Sequence, residues 1–114
     1  MKLKVKLCPL AKKHHLESGR QFAHVFHRKN TICVTPEFYN LPQVYRVGIL
    51  LHELGHVALQ EGTDHTEAQA DGIIQILSGI RIHRRTYRGM KRLEVIERAQ
   101  MSRAMRFLDE NLTR

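Results

Sequence analysis

"HELGHVALQEGTDHTEAQAD", residues 52–71, puts three histidines and five carboxylates into twenty residues. His52 and His56 are four apart. On a helix such residues project about 40° apart, one turn above the other. Both imidazoles can then reach one tetrahedral metal at about 2.0–2.1 Å. Glu53 is turned by about 100° from His52, so it can flank a metal without ligating it. From there it can accept a proton from a water that the metal acidifies.

This is the HExxH arrangement of zinc metallopeptidases. With eight histidines in the chain, the motif is expected by chance only about 0.04 times. It also falls in a stretch, "VGILLHELGHVAL" (47–59), that reads as a buried helix. That helix is predicted from about Leu41 to Gln60, with Asn40 as N-cap, Pro42 in the first turn and Gly62 just past its end. A second helix is predicted from Asp64 to Gly79.

A catalytic zinc site needs a third protein ligand and an open position. The metzincin pattern is absent, because Leu59 and Gly62 stand where it requires Gly and His. The candidates are Glu61, Asp64, His65, Glu67 and Asp71. Glu61 is too close to the end of the first helix to turn back. Glu67 and Asp71 are four apart and share a helix face. If that face looks at the first helix, Glu67 can complete the metal sphere, with His65 as its rival. Asp71 can then take a hydrogen bond from a ligand histidine and fix its tautomer. Glu67 has a second reading, as the far end of a capping box begun by Asp64.

HExxH followed by ExxxD (His52, Glu53, His56, Glu67, Asp71) resembles the gluzincin metallopeptidases, whose best-known member is thermolysin. The short chain is more similar to the minigluzincins and to the metallopeptidase domain of repressor-cleaving bacterial and phage regulators. The resemblance covers roughly residues 30–75. It implies Glu67 as third ligand, an active-site helix packed under a small sheet, and an edge strand that receives substrate, "TICVT" (31–35) or its neighbour. It also implies a His or Tyr from the C-terminal half as oxyanion donor. His83 and Tyr87 are the candidates, ahead of Tyr39 and Tyr45. Two departures stand out: Thr66 precedes Glu67 where thermolysin-like enzymes carry Asn, and only ten residues separate His56 from Glu67.

Working outward, "KLKVKL" (2–7) alternates like a half-buried strand, and "QFAHVFH" (21–27) and "TICVT" read as a hairpin around "RKN". "CPLAKKHHLESGR" (8–20) reads as a short helix or loop. "IRIHRRTY" (80–87) is ambiguous between strand and loop. Residues 93–112 read as a long amphipathic C-terminal helix. The expected fold is therefore α+β in one domain, 1–114. A three-stranded antiparallel sheet packs on the active-site helix, and the second helix carries the third zinc ligand.

The chain has 114 residues and a net charge of +8. No run is long enough for a membrane span, and no secretory signal is visible. Cys8 and Cys33 form no CxxC pair and read as reduced thiols in a cytoplasmic protein. His14, His15, His24 and His27 lack partner spacing. Residues 81–92 hold six Lys or Arg and no acid. That block can serve as a solvated surface, a contact for nucleic acid or an acidic partner, or a counter-charge to the chain's own acids. The expected function is a zinc-dependent endopeptidase acting on a peptide or protein, with one Zn2+ per chain. Self-association or latency is a further expectation, the tail "LDENLTR" (108–114) of the chain or a neighbour filling the cleft. The alternative is a non-catalytic, zinc-stabilised, nucleic-acid-associated regulator.

Overall fold

The computed structural model describes residues 3–7, 22–26, 31–59, 66–89 and 92–113. Among the described residues the fold is α+β, with one mixed four-stranded sheet, a separate two-stranded hairpin and three α-helices. Strands β1 (Leu3–Leu7), β2 (Ala23–Phe26) and β3 (Thr31–Val34) form the sheet with a two-residue strand, Leu112–Thr113, at the C-terminal end. The order is β2-β3-β1 followed by the C-terminal strand.

The sheet is thus neither three-stranded nor antiparallel throughout. β2 and β3 are antiparallel, with His24 opposite Cys33, as a hairpin requires. β3 runs parallel to β1, with Val5 opposite Ile32. Alternation of side chains specifies a strand but not its direction, so the sequence pattern was compatible with either pairing. β3 is also not an edge strand. All four of its residues are buried, as expected of a strand paired on both sides. The outer strand beside it is β2.

Thr35 leads into a 3-10 turn, Pro36–Asn40, which buries Phe38. Helix α1 follows as Gln43–Ala58. Asn40 is not its N-cap. Pro42 holds that position with φ −57° and ψ 151°, and no side chain caps the helix. A proline forces the residue before it out of the helical region. Leu41 is accordingly extended, with ψ 150°.

Helix α2 is Glu67–Ser78, capped at its end by left-handed Gly79. Its capping box is Thr66/Gln69. Thr66 Oγ1 accepts from Gln69 N–H at 3.1 Å, and Gln69 Oε1 accepts from Thr66 N–H at 2.7 Å. The box lies two residues beyond the one expected at Asp64/Glu67, and Asp64 lies outside the described residues. Glu67 is the first helical residue rather than the reciprocal cap.

The stretch expected as one long helix over 93–112 divides. Strand β4 (His83–Thr86) pairs antiparallel with β5 (Arg92–Val95), with Arg84 opposite Glu94. Leu93, Val95 and Ile96 are buried, and the Ile96 N–H donates to Val44 O at the start of α1. Pairing and burial outweigh the helical spacing of these residues. Helix α3 begins only at Met101 and ends at Asn111; the C-terminal strand, β6 (Leu112–Thr113), then pairs with Leu3 and Lys4 of β1. Residues 108–113 therefore lie in helix α3 and strand β6, with Leu108 in the core. Among the described residues, no helix is long and apolar enough to cross a membrane.

Helix α1 is the centre of the packing, touching α2, β5, β2 and α3. Two of its glycines make this possible. A Cβ on Gly48 would stand 2.7 Å from Val95 N and Cα, and one on Gly55 would stand 2.1 Å from Ala70 O. His52 lies between them in sequence. The β4–β5 hairpin and α2 therefore close on α1 on either side of that histidine.

Candidate metal centre

His52, Glu53 and His56 are all buried on α1. Helix α2 sets Glu67 and Asp71 against them. His52 Nε2 and His56 Nε2 are 3.0 Å apart. Glu67 Oε2 contacts both, at 3.0 Å from His56 Nε2. Among the described residues, His52, His56 and Glu67 form a group whose ligand atoms all lie within 4.8 Å of one another. Two imidazole nitrogens and a carboxylate oxygen converging on one point could hold a metal ion. The Glu67 side chain is half exposed, so the group is reachable from solvent.

The other nitrogen of His52, Nδ1, lies 2.6 Å from Asp71 Oδ1. This contact leaves Nε2 facing His56 and Glu67. Burial pulls the His52 pKa down, but the Asp71 hydrogen bond and the charges of Glu94, Glu53 and Asp71 outweigh it. The net shift is upward from the ordinary histidine value. In the metal-free protein, a raised folded pKa contributes stability that is complete below the unfolded value of about 6.5. That contribution is lost as pH rises through the folded value. The metal-free chain is thus expected to show a loss of melting temperature as pH rises above about 6.5 that is smaller in His52→Gln. Equal pH slopes for the two proteins would exclude this source.

Two residues at the centre were missed in the sequence. Arg84 Nη2 donates to Asp71 Oδ2 at 2.9 Å, and Arg84 Nη1 donates to Glu94 Oε1 at 3.1 Å. Glu94 Oε1 is also 3.4 Å from His52 Nε2. In the sequence Arg84 is one cation of a basic block, and Glu94 falls in a stretch with helical spacing. Only the hairpin register, which sets them opposite each other, brings them to His52. The block is therefore partly matched by the chain's own acids. Arg85 Nη2 similarly reaches Glu97 Oε1 at 2.7 Å.

The candidate oxyanion donors make the following contacts. His83 Nε2 lies 3.6 Å from Glu97 Oε1. Tyr87 packs on Tyr45, with ring centroids 5.0 Å apart, and Arg88 lies over its ring. Tyr39 is exposed beside Phe38. Glu61, Asp64 and the rival ligand His65 lie outside the described residues, as do His14, His15, His27 and Cys8. Cys33 is a buried thiol in β3. Comparison with known protein families, curated proteins and solved structures finds no match to this chain.

Proposed function

We propose that this chain is a zinc-dependent peptidase, with His52, His56 and Glu67 as metal ligands and Glu53 as general base. One observation carries the reading. A buried carboxylate, Glu53, adjoins a buried histidine pair to which a second helix brings a third ligand of the kind zinc accepts. A carboxylate beside the ligand pair is what general-base hydrolysis requires. Zinc bound there would polarise a carbonyl and make water more acidic.

The side chains divide the remaining work. Glu53 takes a proton from the attacking water and delivers it to the leaving amine. Asp71 holds the imidazole of His52 through Nδ1 and keeps its Nε2 lone pair directed at the metal. Arg84 in turn fixes Asp71. An extended peptide can add to β2, the outer strand beside β3, through backbone hydrogen bonds.

Glu53→Gln keeps the size and removes the base. Loss of a general base costs about 10²–10⁴-fold in rate. New peptide termini in a denatured mixed lysate, read by mass spectrometry, are expected with the zinc-loaded wild type and not with this variant. Both proteins should carry the same zinc. Loss of zinc from Glu53→Gln, or equal cleavage by the two, would sink the assignment of Glu53.

A further inference from the structure

Glu94 stands where no motif spacing would place it. It lies on β5, 41 positions after Glu53 in the sequence, and reaches the centre because Gly48 lets the strand approach α1. Its side chain is only 15% exposed, so its charge is largely withdrawn from water. Among the described residues, that carboxylate meets Arg84 and His52 Nε2, the nitrogen that also meets His56 and Glu67.

The distance to His52 has a meaning. Two ligands at about 2.0–2.1 Å from a tetrahedral metal lie about 3.3–3.4 Å apart. Glu94 Oε1 is 3.4 Å from His52 Nε2. That is one ligand edge from His52 Nε2, although Glu94 is not among the three mutually close atoms. Arg84 Nη1 donates to the same oxygen at 3.1 Å. Arg84 also grips Asp71, so one guanidinium links the carboxylates on both nitrogens of His52.

We propose that Glu94 is a fourth protein ligand, which closes the metal site at rest and leaves it for Arg84 when a substrate or inhibitor takes the position. The inference rests on the metal reading above and deepens it. Closed, four-ligand sites are the rule for structural zinc, and an open position is the rule for catalytic zinc. A carboxylate with two alternative partners lets one site occupy both conditions. Arg84 is then a positioning residue: it receives Glu94 and never touches the metal.

The test uses the full-length chain and Co2+, whose visible spectrum reports its ligands. Wild type and Glu94→Gln are titrated with Co2+, and the loaded proteins are then titrated with acetohydroxamate, which needs open coordination positions. Circular dichroism verifies that the variant, which keeps the size of the side chain, is folded. Glu94→Gln is expected to bind Co2+ about 100-fold more weakly. It should show an altered visible band and bind acetohydroxamate about tenfold more tightly, because no carboxylate has to be displaced. An unchanged spectrum and unchanged acetohydroxamate affinity overturn the proposal while leaving the three-ligand reading intact. Weaker Co2+ binding without tighter acetohydroxamate binding also overturns it, since Glu94 would then act through charge alone. If the folded wild type takes up no Co2+ at all, the metal reading fails and this inference with it.

Discussion

Alanine at position 67 is expected to remove most of the chain's affinity for zinc while leaving the metal-free fold intact. Structural zinc sites bind with about 10–16 kcal/mol, so one ligand of three or four accounts for about 3 kcal/mol, a factor of about 100 in affinity. The competing role for Glu67 is local. As the first residue of α2, its charge favours the helix dipole by only about 0.3–1 kcal/mol, less where the side chain is exposed. The reciprocal capping bonds belong to Thr66 and Gln69, so they survive the substitution. The two roles thus differ by at least threefold in energy and appear in different measurements. Competition for zinc against a chromophoric chelator reads the first, and melting of the metal-free protein reads the second. A large loss in melting temperature with unchanged zinc affinity would return Glu67 to a structural role.

His52, Glu53 and His56 were legible because their relation is internal to one helix. A repeat of four residues has the same geometry wherever the helix sits. The pair Glu67 and Asp71 was legible for the same reason, and only its orientation toward α1 needed the fold. Arg84 and Glu94 were not legible. Their relation to His52 depends on a hairpin register and on the close approach allowed by Gly48, and neither leaves a periodic signal. The same limit applies to the sheet. "KLKVKL" and "TICVT" announce strands, yet a parallel pairing of β1 with β3 depends on the path of the chain between them. The segment 93–112 failed for a different reason. Leu93, Val95 and Ile96 fit helical spacing, but they also suit a paired strand. The buried contacts with α1 decided between the two, not local preference.

Gly55→Ala is expected to disrupt the centre without touching any of its side chains. The added Cβ would stand 2.1 Å from Ala70 O and 2.7 Å from Ala70 C. Both are backbone atoms of α2, so no rotamer can relieve the clash, and the two helices must separate. Glu67 and Asp71 would then draw away from the histidines they meet. Overpacking costs about 1–3 kcal/mol, and more where backbone is the obstacle. The intrinsic gain of alanine over glycine in a helix is about 1 kcal/mol, which is not enough to offset it. Gly72→Ala supplies the contrast, because it is in helix α2 and a Cβ there meets nothing within 4 Å. That variant is expected to gain about 0.4–1 kcal/mol. Thermal melting should therefore move in opposite directions for the same chemical change, with zinc affinity falling only for Gly55→Ala. If both variants gained stability and kept their zinc, α1 and α2 could not approach as closely as Gly55 permits, and the contact that brings Glu67 to His52 and His56 would lose its basis.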